Sequence, residues 1–325
     1  MKHNKLLGFI LLSSLLLGFS CSSSKSTSNE VDENKVSQDD VIIISNTFTL
    51  PEIPLSIIDT DERTDYLVMH YWDGFDFSNI KLIDMPEITE QAFVDYINIV
   101  NYASEDKIES SLRGTLKLAE VETLMYKHFC NLFEKYLYEP NSPFRNEELY
   151  IPVLKDMTKS KLLSEAERQR FNYQYEFTQK NRVGYKANDF VYTLATEESN
   201  KMSSIDSEYL ILFFSNPECS TCASVASYLD RSSFINEALS YNTPQRTMLT
   251  ILTIYPDDDI DVWRKHLDLM PSRWLHSYDA GMHITKKKLY DLKAIPSIYL
   301  LDKNKKVILK DTDPEILEAF FDLPR

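Results

Sequence analysis

Residues 209–222 read YLILFFSNPECSTC, six apolar residues followed by a short polar turn and two cysteines. The apolar run from Tyr209 to Phe214 has the length and composition of a buried central strand. Because the Ser-Asn-Pro segment after it favours a turn, we expect the chain to leave the strand there and to begin a helix at Cys219. The sequence therefore predicts a strand, a turn and a helix in this order around the cysteine pair.

Cys219 and Cys222 are separated by two residues, which places Cys222 one helical turn after Cys219. This spacing lets two sulfur atoms reach disulfide geometry with little movement of the backbone. At the N-terminus of a helix, Cys219 would face unpaired backbone N–H groups and the positive end of the helix dipole, which favour a thiolate. Cys219 and Cys222 are therefore candidate catalytic residues for thiol–disulfide exchange.

Cys219 and Cys222 have two alternative interpretations. The pair could form half of a zinc site, but the sequence has no second Cys pair, and His266, His276 and His283 lack the usual ligand spacing. The pair could instead form a structural disulfide, although so short a loop gains little stabilisation from chain entropy. The strand, turn and helix around the pair favour exchange over both alternatives.

The hydrophobic pattern changes near residues 183–188. From Pro51 to Arg182, apolar residues recur every three or four positions, as in a helical region, and Ser104 and Ser164 are placed to cap helices. After Gly184, short β-branched and aromatic runs at 209–214, 247–255, 297–301 and 306–309 alternate with helical stretches. The sequence therefore predicts an α-helical N-terminal domain, residues 46–183, followed by an α/β domain, residues 184–325.

A second motif extends the first. Residues 294–309 read AIPSIYLLDKNKKVIL, an Ile-Pro pair that opens a strand, then a polar hairpin and a last strand. Together with the Cys-x-x-Cys at a strand-to-helix turn, this motif resembles the thioredoxin superfamily. It is most similar to TlpA-like periplasmic lipoproteins with a helical domain of unknown function ahead of the thioredoxin-like one, and residues 71–77, YWDGFDF, resemble a phrase near the start of that domain. The resemblance implies a central mixed sheet flanked by helices.

The resemblance also implies roles for Ile295 and Pro296. In that superfamily the proline is cis and packs beside the cysteines, so that the backbone of Ile295 is exposed and can pair with a cysteine-bearing peptide as an added strand. Ile295 and Pro296 are therefore the expected substrate-binding residues. The alternative is an ordinary trans proline that opens an edge strand, since only about 5 to 6% of X-Pro bonds in folded proteins are cis.

The sequence departs from thioredoxins at three positions around the cysteines. Glu218 precedes Cys219, and Ser220 and Thr221 stand between the cysteines, where thioredoxins have Trp-Cys-Gly-Pro-Cys. Glu218, Ser220 and Thr221 are therefore expected to tune the redox chemistry toward a different set of partners. The preceding strand also lacks the buried acid with which many thioredoxins move a proton to the second cysteine, so that water or another group must serve.

Negative charge surrounds the cysteine pair in the sequence. Between Met202 and Asp230 there are four acids and no Lys or Arg. Strongly oxidising relatives hold their thiolate with positive neighbours, whereas Glu218 opposes the helix dipole. We therefore expect a reduction potential nearer about −270 mV than about −120 mV, and with it a reductive or isomerising activity.

The N-terminus predicts export and lipidation. Lys2 and Lys5 precede an apolar run at 6–19 that is too short to span ~30 Å of bilayer, so that residues 1–20 are typical of a signal peptide. The segment LGFSC, ending at Cys21, resembles the lipobox of bacterial lipoproteins, although Gly18 stands where that family prefers Leu. Residues 21–45 would then be a lipidated cysteine and a disordered tether. The alternative is a soluble secreted protein cut near Ser20.

The net charge and the expected localisation limit which classes of partner the protein could bind. The net charge of −15 argues against nucleic acid, which requires a basic surface. The expected partners are cysteine-containing extracytoplasmic proteins, an electron donor and, through the lipid anchor, a membrane. Ser22 is not an acid that retains lipoproteins in the inner membrane, so we expect the outer membrane, facing the periplasm. No metal or nucleotide cofactor is implied.

Other reactive residues are expected to do less. Cys130 lies on an apolar helix face, where free cysteines are mostly buried and inert. His70 and His128 are expected to pack or to face solvent, and Trp263 and Trp274 to belong to the core, although Trp274 could line the groove beside the cysteines.

Two rival functions use the same fold. One is a membrane-surface binding lipoprotein in which the thioredoxin-like fold is a passive scaffold, because fold alone does not fix function. The other is copper delivery, which usually requires a wider cysteine spacing and a nearby histidine.

Overall fold

The computed structural model describes residues 48–322, which belong to one compact unit, Asn46–Arg325. The predicted signal peptide, Cys21 and the tether lie outside the described residues. Within the described part of the chain, no helix is both long enough and apolar enough to cross a membrane.

The N-terminal part of the described chain is helical. Its α-helices are α1 (Thr60–His70), α2 (Thr89–Val100), α3 (Glu105–Ala119), α4 (Thr123–Leu137), α5 (Glu147–Met157) and α6 (Glu165–Thr178), with a 3₁₀ helix at Ile80–Asp84. Helices α3 and α4 are separated by only three residues, 120–122. The break is capped by Glu122, whose carboxylate accepts a hydrogen bond from the backbone N–H of Leu124 at 3.3 Å.

Ser164 and Ser104 both occupy the predicted N-cap positions, but only Ser164 caps its helix. The Ser164 hydroxyl accepts from the Glu167 N–H, and the Glu167 carboxylate accepts from the Ser164 N–H, which forms a capping box. The Ser104 hydroxyl instead donates to Asp65 at 2.6 Å, so the prediction of a side-chain cap at Ser104 is wrong. The carboxylate on the neighbouring helix α1 competes successfully for the hydroxyl.

The aromatic phrase at residues 71–77 builds the core of the helical part. Trp72 is buried and contacts Phe75, Phe77 and Phe129 edge to face, with ring centroids 5.3 to 5.9 Å apart. Edge-to-face pairs of this kind add about 0.5 to 1.5 kcal/mol to the stabilisation from burial. The phrase is therefore a packing motif that joins the end of α1 to α4.

The C-terminal part of the described chain is a mixed sheet flanked by helices, which confirms the predicted fold class. Its strands are β1 (Val191–Leu194), β2 (Ser199–Lys201), β3 (Tyr209–Phe214), β4 (Leu249–Tyr255), β5 (Leu275–Tyr278), β6 (Ser297–Asp302) and β7 (Val307–Leu309). They lie in the order β2-β1-β5-β4-β3-β6-β7, with β3, β4 and β5 parallel and the other pairs antiparallel. The helices are α7 (Ser220–Arg231), α8 (Ser233–Ser240), α9 (Ile260–His266), α10 (His283–Lys286) and α11 (Pro314–Asp322), and 3₁₀ helices lie at Met202–Ser204 and Leu267–Leu269.

Strand β3 is apolar throughout because both of its faces are covered. Leu210, Leu212 and Phe214 pack in a cluster on one face, whereas Ile211 and Phe213 pack on the other face against α7, α8 and α11. A strand that is buried on both sides reads as a continuous hydrophobic run. This rigid strand therefore fixes the position of the turn that follows it.

Candidate active site

The site lies at one edge of the sheet, where β3 ends and β6 begins. These strands are antiparallel, with Phe214 opposite Ser297, so the turn after β3 lies beside the Ile295–Pro296 segment that precedes β6. Strand β4 is parallel to β3, with Ile254 opposite Phe214, so the acidic segment after Tyr255 reaches the same edge. Three segments distant in sequence therefore meet around the cysteines.

Helix α7 begins as the sequence predicts, with Cys219 as its N-cap residue. The Cys219 sulfur accepts a hydrogen bond from the backbone N–H of Cys222 at 3.2 Å. An N–H group at a helix N-terminus stabilises negative charge on the atom that it contacts. The geometry therefore places the positive end of the α7 dipole against the Cys219 sulfur.

The two cysteines differ in exposure. Cys219 is partly exposed, whereas Cys222 is 3% exposed, and both are free thiols. Burial and the neighbouring Cys219 raise the pKa of Cys222 to about 12, although the backbone of Asn216 opposes the shift. Only Cys219 is therefore both partly exposed and in contact with a helix N–H group through its sulfur.

The Ile295–Pro296 bond is cis, as the resemblance implies, and the alternative of a trans proline does not describe this structure. The Cys219 thiol donates to the carbonyl oxygen of Ile295 at 3.8 Å. Ile295 and Pro296 are both partly exposed. The two residues are thus partly accessible beside the partly exposed Cys219.

Asn216 connects the cysteine turn to the acidic segment, residues 257–259. No local pattern in the sequence predicts this role for Asn216. Its side-chain amide donates to Asp257 at 2.7 Å, and its side-chain oxygen accepts from the N–H of Glu218 at 2.9 Å. Burial, and then the carboxylates of residues 257–259 and Glu218, raise the pKa of Tyr255 to about 12. The Asn-Pro pair indicated the turn, but only the fold shows its acidic partner.

The three predicted tuning residues lie at the surface. The side chains of Glu218, Ser220 and Thr221 are exposed on the turn and on the first turn of α7. They therefore face any partner that approaches Cys219.

A groove of about 270 Å³ lies on the α7 side of the cysteine pair. Cys222, Asp230, His266 and Met270 are among its lining residues. Trp274 is not among them, because it packs in the core with its ring 6.1 Å from that of Phe213. The suggestion that Trp274 lines this groove is therefore wrong, and its assignment to the core is confirmed.

The remaining reactive residues lie apart from the cysteine pair. Cys130 is buried in the helical core, and burial raises the pKa of its thiol well above the usual range. Trp263 is buried against Tyr278. Within residues 48–322, no group of three or more His, Cys, Asp or Glu side chains is arranged to bind a metal ion.

Comparison with known proteins finds similarity over both parts of the chain. The family described as "Domain of unknown function (DUF5106)" matches residues 20–181. The crystal structure of a thioredoxin-like protein from Bacteroides caccae ATCC 43185 is 41% identical, with a TM-score of 0.80, and the match covers 85% of this chain and 98% of that chain.

Two further structures match less than half of the chain. The C-terminal domain of an uncharacterized protein from Bacteroides fragilis NCTC 9343 is 39% identical over 44% of this chain and 99% of that chain, with a TM-score of 0.42. A domain of a "possible thiol-disulfide isomerase" from Cytophaga hutchinsonii ATCC 33406 is 26% identical over 44% of this chain and 92% of that chain, with a TM-score of 0.35. No curated protein matches the chain.

Proposed function

This chain belongs to the thioredoxin superfamily, with a DUF5106 domain at its N-terminus, and we propose that it is an extracytoplasmic thiol–disulfide oxidoreductase acting on protein partners. The observation that carries the proposal is the asymmetry of the cysteine pair. Cys219 is partly exposed and accepts a helix N–H, whereas Cys222 is buried behind it with a raised pKa. This arrangement suits one nucleophilic and one resolving cysteine.

The reaction is a two-step exchange. The Cys219 thiolate attacks one sulfur of the partner's disulfide, a mixed disulfide forms, and the other partner sulfur leaves as a thiolate that takes a proton from water. Cys222 then loses its proton and attacks the Cys219 sulfur. The partner leaves with two thiols, and the two electrons that it gained come from the Cys219–Cys222 pair, which a dithiol donor must reduce again.

Proton transfer from Cys222 is the step for which strand β3 offers no acid or base. The groove beside α7 exposes one side of Cys222 and also contains Asp230 and His266. Water in a groove of this size would carry the proton away from the buried thiol. The absence of an acid in β3 is therefore compatible with resolution by Cys222.

The partner would bind through the backbone of Ile295. An extended peptide that pairs with this segment brings its own disulfide to the Cys219 sulfur, which lies 3.8 Å from the Ile295 carbonyl oxygen. Backbone pairing of this kind depends little on which side chains the peptide carries. Glu218, Ser220 and Thr221, which are exposed around Cys219, would then select among partners.

Insulin reduction with dithiothreitol as the donor tests this function. The parent protein should accelerate the reduction, Cys219→Ser should abolish the acceleration, and Cys130→Ser should retain it, since Cys130 lies in the helical core. A parent protein no faster than dithiothreitol alone would support the rival function of a passive binding scaffold. Equal activity of the parent and Cys219→Ser would show that Cys219 is not the nucleophile.

The physiological partner can be captured with a second variant. In Cys222→Ser the resolving thiol is missing, so a partner that reacts with Cys219 should remain attached as a mixed disulfide. Mass spectrometry of the captured species would identify the partner, and the double variant Cys219→Ser, Cys222→Ser is the matched control.

A further inference from the structure

Six charged side chains form a largely buried cluster between the helical part of the chain and the Ile295–Pro296 segment. We refer to them as the ionic cluster. Three are acidic and three are basic, and each side chain is 8 to 18% exposed: Arg145, Glu147, Asp291, Lys293, Lys310 and Asp311. Arg145 and Glu147 belong to the helical part, whereas the other four lie on the sheet side, close to Pro296 in sequence or in space.

One arm of the cluster holds the residues before Pro296. The Lys293 ammonium group lies 3.2 Å from Glu147 Oε1 and 3.2 Å from Asp291 Oδ2. The same ammonium group lies 3.6 Å from the ring centroid of Tyr138, whose hydroxyl donates to Asp291 at 3.3 Å. Two residues of the helical part, Tyr138 and Glu147, therefore fix the chain two residues before Ile295.

The other arm holds the residue after Pro296. The Ser297 hydroxyl donates to Asp311 Oδ1 at 2.8 Å, and Asp311 Oδ2 pairs with Arg145 Nη1 at 3.0 Å. Arg145 also donates to the backbone carbonyl of Asp311. Lys310 connects the two arms, because it precedes Asp311 in the chain and its ammonium group lies 2.6 Å from Glu147 Oε2.

The energetics of the cluster indicate a geometric role. Burying ions costs several kcal/mol each, and replacing a buried ion pair by apolar residues is often neutral or stabilising. A cluster of three acids and three bases is thus an inefficient way to join two parts of a chain if stability alone is required. Its ion pairs and hydrogen bonds do, however, fix the direction of each group that they connect.

We propose that Glu147 and Arg145 are positioning residues, through which the helical part holds the Ile295–Pro296 segment in the geometry that receives a protein disulfide. The inference rests on the proposed exchange activity and gives the helical domain a role in it. The segment is held on both sides by the cluster, and its backbone oxygen lies beside the Cys219 sulfur. A small disulfide can react with Cys219 without pairing along this backbone, whereas a protein disulfide depends on it.

The test compares two substrates on pre-reduced full-length protein. Its oxidation is followed with insulin, a protein disulfide, and with 5,5′-dithiobis(2-nitrobenzoate), a small one. In Glu147→Gln, the rate constant with insulin should fall about five- to tenfold, and that with the small disulfide should change less than about twofold. Glu148→Gln is the matched control, because the adjacent Glu148 pairs with Arg182 at 2.5 Å and does not contact the Ile295–Pro296 segment. It should change neither rate.

Lys293→Met provides a second test should Glu147→Gln not fold, because it removes the same ion pair from the other side, and it should give the same selective loss. An equal loss with both substrates, or no loss with either, in a folded variant would overturn the positioning role. A parent protein that reacts with neither substrate would instead contradict the proposed exchange activity itself.

Discussion

The Cys219 sulfur lies 3.8 Å from the carbonyl oxygen of Ile295, although 76 residues separate them in the chain. Antiparallel pairing of β3 with β6 produces this contact, since Phe214 lies opposite Ser297 and both segments extend past the strands on the same side. The contact puts a partly exposed cysteine beside a partly exposed residue of the Ile295–Pro296 segment. The chemistry and the binding of a peptide can therefore share one edge of the sheet.

The difference in burial between the cysteines predicts selective alkylation. In the reduced, folded protein at pH 7, iodoacetamide should modify Cys219 at least about tenfold faster than Cys222 or Cys130. The reason is that burial raises the pKa of both other thiols, that of Cys222 to about 12. Quantification of each cysteine-containing peptide by mass spectrometry gives the three rates.

The same labelling in urea is the control, because unfolding should make the three rates similar. Labelling of Cys222 as fast as Cys219 in the folded protein would contradict the assignment of Cys219 as the nucleophile.

The ionic cluster predicts a pH-dependent loss of stability in Glu147→Gln. Burial would raise the pKa of Glu147, but the ammonium groups of Lys310 and Lys293 outweigh it, so the pKa is lowered in the folded state. The stabilisation is therefore complete above the ordinary pKa of Glu, about 4.5, and is lost as pH falls through the folded-state pKa. At pH 7, Glu147→Gln should lower the free energy of unfolding by about 3 kcal/mol, because it leaves buried ammonium groups underpaired.

Urea unfolding of the parent and Glu147→Gln at pH 7 and near pH 3 measures this difference. Asp311 shifts in the opposite direction, since burial raises its pKa despite Arg145. Asp311 is present in both proteins, so the comparison retains only the part of its pKa shift that Glu147 contributes. A gap between parent and variant that is as wide near pH 3 as at pH 7 would exclude this account of Glu147.

The fold was predictable where local pattern and burial agree, as in β3, whose observed bounds are those of the apolar run Tyr209–Phe214. Strand β5 was missed because its sequence, LHSY, is only four residues long with two polar residues at its centre, and its pairing with β4 and β1 supplies the missing stability. Strands β1 and β2 were missed because β1 is only four residues long and β2, with the sequence SNK, contains no apolar residue.

Only the part of the site that local sequence motifs mark was predictable. The cysteine pair and Ile295–Pro296 carry local motifs, but Glu147 and Lys293 are 146 residues apart and each reads as an ordinary surface charge. Only the packing of the helical part against the sheet shows that these charges are buried together.

The expected lipid anchor predicts that substitution of Cys21 changes the cell fraction in which the protein is found. If Cys21 carries the proposed lipid, Cys21→Ala should leave the protein soluble or unprocessed, because the substitution removes the sulfur to which that lipid would be attached. Fractionation of cells expressing the parent and the variant, with a high-salt wash of the membranes, measures the change. Variant protein that remains in the washed membranes at the parent's level would argue against the lipid anchor.

The redox direction follows from the charges around Cys219. The exposed Glu218 precedes the nucleophile, and Asn216 holds Asp257 at the same edge of the sheet. Negative charge disfavours a thiolate, and a less stable reduced form gives a lower reduction potential. We therefore expect a potential near about −270 mV and reductive or isomerising activity.

The variants Glu218→Gln and Glu218→Lys should each raise the reduction potential by a further roughly 10 to 30 mV, because the first removes the charge nearest to Cys219 and the second reverses it. Equilibration with glutathione buffers measures each potential, with Glu237→Gln on α8 as a control for a change in net charge. A parent potential above about −160 mV would show that the protein is an oxidant, and unchanged potentials in both Glu218 variants would show that this carboxylate does not tune the pair.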